Sequence, residues 1–384
     1  MTTAVIVDAI RTPSGRGKPG GALSAFHPVD LFGTVLRTLV ERNDLDPGLI
    51  DDVIGGCLSQ VGEQSVNITR NAVLAAGFPH SVPGTTVDRQ CGSSQQAAHF
   101  AAQGVIAGAY DVVIAGGIEL MSKNPINSAT LGQDNWGPLV RERYPEGLVG
   151  QGISAELIAA RWGLDRATLD EFAARSHRLA ASASFDREIV DVGTGLVDET
   201  VRAGTTIDGL AALKPAFYDE ATAERFTEID WRITAGNSSP LTDGASAVLI
   251  MSEERAAQLG LTARARFHSF AVVGSDPIEM LTGVIPATER ILARSGLALG
   301  DFDTFEINEA FASVPLAWQK EFGTDPDLLN PRGGAIALGH ALGSSGTRLL
   351  TTMLTTLEKT GGRFGLQVMC EGAGMANATI IERL

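Results

Sequence analysis

The first third of the chain alternates short apolar runs with amphipathic stretches. Runs rich in Val, Ile and small residues predict buried strands at 4–9, 52–58, 85–89 and 111–117. Apolar residues at helical spacing, or Ala-rich stretches, predict helices at 28–42, 66–76 and 93–108. Strands that alternate with helices predict a largely parallel sheet that helices cover on both faces.

The last third repeats this alternation. Strands are predicted at 245–251, 265–273, 302–307, 364–370 and 376–381, and helices at 253–259, 286–295, 312–322 and 343–360. The middle breaks the pattern, with a start rich in Pro, Gly and Asn and two helical stretches near 155–162 and 168–185. We interpret the chain as two similar α/β halves, 1–118 and 245–384, with an inserted cap at 119–244. A plain helical insertion without a ligand role is the alternative.

Composition and charge narrow the class of protein. The 384 residues exceed one ordinary core, and the 44 glycines occur in short runs, which indicates tight turns and not a low-complexity tract. The formal net charge of −15 disfavours nucleic acid and anionic membranes as partners. It does not exclude an anionic small ligand, because backbone N–H groups can hold a phosphate on an acidic protein.

The predicted location follows from signals that the sequence lacks. Three cysteines give no disulfide framework, and Cys57, at the end of an apolar strand, is expected to pack in the core. The first twelve residues lack the pattern of a secretory signal, and no apolar run approaches the ~20 residues of a membrane span. The last three residues differ from the Ser-Lys-Leu peroxisomal signal. These observations predict a cytoplasmic protein.

Four segments carry side chains that are suited to chemistry. Cys91 precedes a predicted helix, whose N-terminus favours a thiolate and offers free N–H groups to an oxyanion. His340 lies in a glycine-dense loop before a helix, which predicts an accessible ring. Cys370 ends an apolar strand at a Gly-rich turn that can present its thiol and the N–H of Gly372. Asn308 ends a strand at a strand-to-helix switch, where α/β sites tend to lie.

Each of these residues, taken singly, also has a structural explanation. Cysteine is among the most often buried residues, a histidine can pack against a turn, and an asparagine commonly caps a helix. Their order and their neighbours decide between the two interpretations. The segments resemble those of the thiolases at Asp88–Cys91, Gly116–Ser122, Thr234–Asn237 with Asp243–Ala245, Asn308–Ala312, Gly333–His340 and Cys370–Gly374.

The resemblance implies a fold and a role for each reacting group. The fold would be the thiolase-like α/β fold, with two βαβαβαββ halves packed as five α-β-α-β-α layers. Cys91 would take the acyl group, His340 would draw its proton, and Cys370 would be the acid/base at carbon. Asn308 would position a water that forms one oxyanion hole with His340. The N–H groups of Cys91 and Gly372 would form the other.

The resemblance also implies the reaction and its substrates. The enzyme would cleave a 3-ketoacyl-CoA with coenzyme A, or run the reverse Claisen condensation, by a ping-pong mechanism through acyl-Cys91. Two thiols and an imidazole meet these needs without a metal or a permanently bound cofactor. In the cap, Ser239 would contact the pantetheine and Arg202 the adenine. Phe217 and Phe311 would line the pocket.

Two departures from the family bear on the site. The residue after Cys91 is usually Ser or Ala, and here it is Gly92. Short-chain members usually have His-Met-Gly near the acyl site, where this chain has Gly150, Gln151 and Gly152, and the segment between 217 and 234 is longer than theirs. These differences predict a roomier acyl pocket and favour a degradative 3-ketoacyl-CoA thiolase. The alternative within the family is an acetoacetyl-CoA-specific acetyltransferase.

Two further alternatives lie outside the thiolases. A ketoacyl synthase of the same fold would need no second cysteine, so Cys370 argues against it. A catalytically silent acyl-CoA-binding subunit of a multienzyme complex would retain the fold without turnover. The family implies a homodimer or a homotetramer, and association with other β-oxidation enzymes is compatible with the sequence. The direction of the reaction and the acyl chain stay open, because cleavage and condensation use the same groups.

Overall fold

The structure, a computed structural model, describes residues 2–384. The strands are β1 (Ala4–Arg11), β2 (Gly15–Arg16), β3 (Asp52–Gly56), β4 (Thr85–Val87), β5 (Val112–Leu120), β6 (Thr242–Ser252), β7 (Ala265–Gly274), β8 (Thr304–Ile307), β9 (Phe364–Glu371) and β10 (Met375–Arg383). The α-helices before β6 are α1 (Pro28–Arg42), α2 (Ile68–Ala75), α3 (Ser93–Ile106), α4 (Gly137–Arg143), α5 (Gln151–Arg161), α6 (Arg166–Ser182), α7 (Ile207–Ala211) and α8 (Glu220–Arg225). Those after β6 are α9 (Glu253–Gln258), α10 (Val284–Ser295), α11 (Ser313–Phe322), α12 (Ala335–Leu338) and α13 (Ser345–Thr360).

The predicted strands and helices of both halves are confirmed, with ends that differ by a few residues. Helix α1 has the predicted bounds, because His27 accepts from Val29 N and Pro28 occupies the first turn. Strand β2 and the short helices α4, α7, α8 and α12 were not predicted. Elements of two to seven residues show too few periods for a hydrophobic pattern to be recognised.

The strands form one sheet in the order β4-β3-β5-β6-β1-β7-β10-β9-β8, with β2 beside β6. The prediction of a largely parallel sheet is wrong. Among the described strands, the parallel pairs are β3 with β4, β3 with β5, and β8 with β9. The reason lies in the connections. Strands β9 and β10 are joined by a three-residue turn at 372–374, which suits an antiparallel pair only, and the long insertion lets β6 return antiparallel to β5.

Within residues 2–384, the two halves of the sheet join only through the short pairing of β1 with β7, and the helices between and outside them give the five layers that the family resemblance implied. Helices α1 and α2 cover the outer face of the strands of the first half, whereas α10 and α11 cover the outer face of the second half. Helices α3 and α13 lie between the halves, because they pack on each other and on strands of both. The second half has one difference from the predicted order. In place of a third strand, Leu329 makes an isolated bridge with Phe305.

Residues 121–241 contribute helices α4 to α8 and no strand of this sheet. Helix α5 packs on α11, and α6 packs on α12, so the insertion lies against the segments that carry Asn308 and His340. Among residues 2–384, none of the helices combines the length and the apolar character that crossing a bilayer requires.

Candidate active site

The close packing of two helices brings the Cys91 and His340 segments together. Gly346 lies in the first turn of α13 against the first turn of α3, where a Cβ would overlap the backbone nitrogen of Gln95. Helix α3 begins two residues after Cys91, and α13 begins five residues after His340. Any side chain at position 346 would separate the two helices, so the glycine is needed for the site to assemble.

The His340 ring has a defined partner at each nitrogen. Its Nδ1 lies 2.7 Å from the hydroxyl oxygen of Ser345, and its Nε2 lies 3.4 Å from the amide nitrogen of Asn308. The Ser345 hydroxyl donates to the carbonyl of Ala341 at 2.8 Å, so its oxygen accepts from Nδ1–H. The Asn308 amide donates to Nε2, which therefore carries a lone pair. This tautomer makes Nε2 a proton acceptor.

The prediction of an accessible His340 ring is wrong, since only 4% of the residue is exposed. Its backbone N–H donates to the hydroxyl of Thr242 at 2.9 Å, which ties the loop to the start of β6. Burial, and then the charge of Arg348, lower the pKa of His340 to about 3. The ring is therefore neutral and able to accept a proton at physiological pH.

Cys91 is a buried thiol and not a free thiolate. Burial, and then the carboxyl group of Glu371, raise the pKa of Cys91 to about 12. The N–H of Gly372 lies within hydrogen-bonding reach of the thiol, and the Gln151 amide nitrogen lies 3.9 Å from its sulfur. The prediction that the helix N-terminus favours a thiolate is therefore wrong in its net effect. Only 2% of the residue is exposed, and burial is the largest cause of the raised pKa, so Cys91 needs a base to take its proton.

Cys370 and Asn308 complete the set of reacting groups. Cys370 is fully buried, contrary to the prediction of an exposed thiol, and burial followed by the proximity of Cys91 raises its pKa well above the ordinary value. The Asn308 side chain lies within hydrogen-bonding reach of the Cys370 thiol as well as beside His340. Its amide oxygen is buried and has no donor among residues 2–384. His340, Asn308 and Cys370 thus lie beside one another, and Cys91 is close enough to raise the pKa of Cys370.

Two buried carboxylates hold the His340 loop from opposite sides. Glu119, at the end of β5, accepts from the N–H of Gly343 at 3.0 Å and from the N–H of Leu58 at 2.9 Å. Glu309, next to Asn308, accepts from the N–H of Ile336 at 3.1 Å. These bonds fix the loop to the first half and to the Asn308 segment. The sequence analysis placed both acids in matching segments but did not predict this function.

The predicted pocket residues divide into two groups. Phe217 and Phe311 pack edge to face with their ring centroids 5.8 Å apart, and the N–H of Ser239 donates to the carbonyl of Ala310 at 3.0 Å. The structure therefore brings these three residues to the Asn308 segment. Arg202 is exposed, and its backbone N–H donates to Nδ1 of His177. No polar contact among residues 2–384 connects its guanidinium with the reacting groups.

Glu371 explains the unusual residue after the nucleophile. Its side chain is fully buried, and neither carboxyl oxygen has a hydrogen-bond donor among residues 2–384. A Cβ at position 92 would overlap one of these oxygens, so Gly92 leaves the space that the carboxyl group fills. Burial raises the pKa of Glu371 well above its ordinary range. Sequence reasoning missed this residue because it occupies the variable position between Cys370 and Gly372.

The Gly92 and Glu371 pair gives a prediction for stability. Gly92→Ala is expected to destabilise the protein by about 1–3 kcal/mol, because the added methyl group displaces a buried side chain. Gly92→Ala combined with Glu371→Ala removes the overlap and should recover at least half of that loss. Thermal or urea unfolding of the wild type, both single variants and the double variant measures the coupling. Additive effects of the two changes would contradict the steric explanation.

Comparisons with known proteins agree with this arrangement. The chain matches the family models "Thiolase, N-terminal domain" over residues 4–254 and "Thiolase, C-terminal domain" over residues 261–383. It is 47% identical to the steroid 3-ketoacyl-CoA thiolase FadA6 of Mycobacterium tuberculosis, over 100% of this chain and 95% of that protein. It is 44% identical to the 3-ketoacyl-CoA thiolase of Erwinia tasmaniensis, over 100% of both chains.

Among solved structures, the fold is similar to the acetyl-CoA acetyltransferase of Bacillus anthracis. The TM-score is 0.87 at 37% sequence identity, and the similarity covers 100% of this chain and 99% of that one. The family models and the full-length relatives lead to the same conclusion as the site geometry: the chain belongs to the thiolase family and has its fold.

Proposed function

We propose that the protein is a degradative 3-ketoacyl-CoA thiolase that works through an acyl-Cys91 intermediate. The observation that carries the proposal is the buried group of neighbouring residues His340, Asn308, Cys370 and Cys91, with the N–H of Gly372 at the Cys91 thiol. Relatives named as 3-ketoacyl-CoA thiolases over their full length support the same reaction class.

The first half-reaction transfers the acyl group. Cys91 gives its proton to Nε2 of His340 as its sulfur attacks the 3-keto carbon, and the N–H groups of Cys91 and Gly372 hold the resulting oxyanion. The bond between carbons 2 and 3 then breaks. Cys370 protonates the departing enolate of acetyl-CoA, which the water at Asn308 and His340 stabilises. The shortened acyl group remains on Cys91.

The second half-reaction releases the product. The Cys370 thiolate takes the proton of an incoming coenzyme A, whose sulfur attacks the acyl carbon on Cys91. The oxyanion forms again at the same N–H groups, and the collapse of the intermediate returns Cys91 with the proton from His340. The raised pKa of Cys370 suits this role, because its thiolate is a strong base.

The acyl pocket is proposed to accept a medium-length, branched or ring-bearing chain. A Cβ at Gly150 would meet no atom within 4 Å, so the position usually held by a larger side chain borders open space. Beside it, Gly152 packs directly against the ring of Phe217. Arg225, from the lengthened segment, donates to the carbonyl of Gly147 at 3.0 Å, so α8 extends the same rim. The relative named as a steroid 3-ketoacyl-CoA thiolase supports a bulky substrate.

Thiolysis of a graded panel of 3-ketoacyl-CoAs tests this proposal. The wild type should show a higher kcat/KM for bulky or medium-length substrates than for acetoacetyl-CoA. Gly150→His should lower kcat/KM for the bulky substrates by about tenfold or more, since one misfit in a pocket is worth ~1–3 kcal/mol. Gly300→His, the same exchange at a glycine outside the cap where an added Cβ would meet no atom within 4 Å, is the matched control. A clear preference of the wild type for acetoacetyl-CoA would instead support the acetoacetyl-CoA-specific alternative.

The remaining parts of the proposal concern the cap and the assembly. We assign coenzyme A binding to the cap at 119–244, between thiolase halves at 1–118 and 245–384. Ser239 is proposed at the pantetheine, since it is bonded to the loop that carries Phe311. Arg202, exposed on the cap, is proposed at the adenine end. A cytoplasmic homodimer or homotetramer without a permanently bound cofactor completes the proposal.

A further inference from the structure

A small polar cavity lies directly behind the His340 loop. It is enclosed by the end of β1, the residues around the His340 loop and the start of α13, and its polar lining comes from Arg11, Thr12, Ser14, Ser344, Ser345 and Arg348. The space open to the centre of a water molecule is about 10 Å³. This volume is near the lower limit for one ordered water, and a polar site needs two to four partners to hold it.

Arg348 is the group in this cavity that lacks partners. It is 95% buried, and neither of its terminal nitrogens has an acceptor among residues 2–384. Arg11 lines the same cavity but is bonded to both carboxyl oxygens of Asp198, at 2.7 and 2.9 Å. A buried guanidinium without acceptors is costly, so a group not made of protein is expected to bind it.

The charged groups around Arg348 do not supply that acceptor. Glu306 and Glu309 approach from β8 and the loop after it, Arg11 from β1, and Asp198 from the cap. Glu306 makes no hydrogen bond with either terminal nitrogen of Arg348, and one of its own carboxyl oxygens also has no partner among residues 2–384. Glu309 is bonded to Ser176 and Asn330. A water oxygen remains as the acceptor that fits the cavity.

Ser345 connects this cavity with the His340 ring. Ser345 lines the cavity, and its hydroxyl donates to the carbonyl of Ala341 and accepts from Nδ1 of His340. A hydroxyl oxygen has two lone pairs, so Ser345 can accept one more hydrogen bond from a water. That bond would keep the Ser345 hydroxyl donating to the carbonyl of Ala341. A lone pair of the Ser345 oxygen then continues to face Nδ1 of His340. Nδ1 then keeps its proton, and Nε2 stays free to act as the base.

We propose that the cavity binds one ordered water molecule between Arg348 and Ser345, and that Arg348 acts through this water as a positioning residue for His340. The charge of Arg348 also lowers the pKa of His340, which keeps the ring neutral in the resting enzyme. The inference rests on the proposed role of His340 as the general base. Arg348 would support that role without touching the reacting atoms.

The test reads the tautomer and the water in the resting enzyme. Long-range ¹H–¹⁵N spectra of protein labelled in its histidines, with His340 assigned by its loss in His340→Asn, should show the proton on Nδ1. Arg348→Met should give a mixture of both tautomers and lower kcat by about 10–100-fold, with KM changed less than about threefold. Arg348→Lys, which keeps a cationic donor, should retain the wild-type tautomer. A high-resolution crystal structure should show a water bonded to Arg348 and Ser345.

Two results would overturn the inference: a single Nδ1 tautomer with wild-type kcat in Arg348→Met, or an empty cavity in a well-ordered crystal structure. If Arg348→Met does not fold, the double variant with Glu306→Gln carries the test, because it also removes the buried carboxyl group that would lose its neighbouring cation. The tautomer and the water can be observed without substrate, whereas kcat cannot. A resting enzyme with the expected tautomer and water but no thiolysis would therefore count against the proposed function and not against this inference.

Discussion

Cys91→Ser is expected to lower kcat for thiolysis by about 10⁴–10⁶-fold, which is the range for loss of an essential nucleophile. The buried site is the reason. The thiol already has a pKa of about 12, and a hydroxyl group in its place would be harder still to deprotonate by a His340 ring whose pKa is about 3. Stopped assays with 3-ketoacyl-CoA, followed by mass spectrometry of the peptide that contains residue 91, measure both turnover and acylation.

The matched control is Cys57→Ser, the same exchange at a buried thiol outside the reacting set. Cys57 accepts from the Gln64 amide at 3.4 Å, a contact that a hydroxyl group can keep, so activity should stay within about tenfold of the wild type. Wild-type turnover in Cys91→Ser would contradict the acyl-Cys91 mechanism. A wild type that binds acyl-CoA but never acylates Cys91 would favour the silent binding subunit.

Cys370→Ala should affect cleavage of the carbon–carbon bond much more than transfer of the acyl group to Cys91. Cleavage of the carbon–carbon bond is expected to fall by about 10²–10⁴-fold, because the enolate then leaves without its general acid. Acyl transfer from a simple acyl-CoA to Cys91 should fall by less than about tenfold, since a thiolate is a far better leaving group than an enolate. Cys370→Ala thus tests the proton transfer at carbon, whereas Cys91→Ser tests the transfer of the acyl group.

Rapid-quench acylation with acyl-CoA, set beside steady-state thiolysis of a 3-ketoacyl-CoA, measures the two steps in the same preparation. Thermal unfolding of Cys370→Ala checks that a truncated core residue has not lowered both rates through loss of fold, because Cys370 is fully buried. An equal loss in both reactions, in a protein as stable as the wild type, would show that Cys370 has no separate role at carbon.

The sequence predicted the elements well and their pairing less well. Periodicity depends on which face of an element is buried, so it located α1 and β1 closely. It carries no information on the direction of a neighbouring strand. The antiparallel pairing of β6 with β5 depends on the long insertion between them, and the pattern of apolar residues is the same for either direction.

In the candidate site, the sequence predicted which residues would react but not the surroundings that set their protonation. Motif order located Cys91, His340, Cys370 and Asn308, and the structure brings them together. The protonation of Cys91 was predicted in the wrong direction, because burial depends on packing that is distant in sequence. Ser345 lies only five residues after His340, but serines are common at the start of helices. Only the fold shows that this serine contacts the His340 ring.

The position of β1 in the sheet has a consequence for biosynthesis. Its two neighbouring strands are β6 and β7, and Ala4 pairs with Ser252, so neither neighbouring strand exists until synthesis has reached β6. Pairings between residues so distant in sequence are slow to form, because a long loop must close first. Meanwhile the nascent chain presents Val5, Ile6 and Ile10 on a strand with two open edges. During synthesis β1 is therefore a segment that can pair with other chains and aggregate before its neighbouring strands are made.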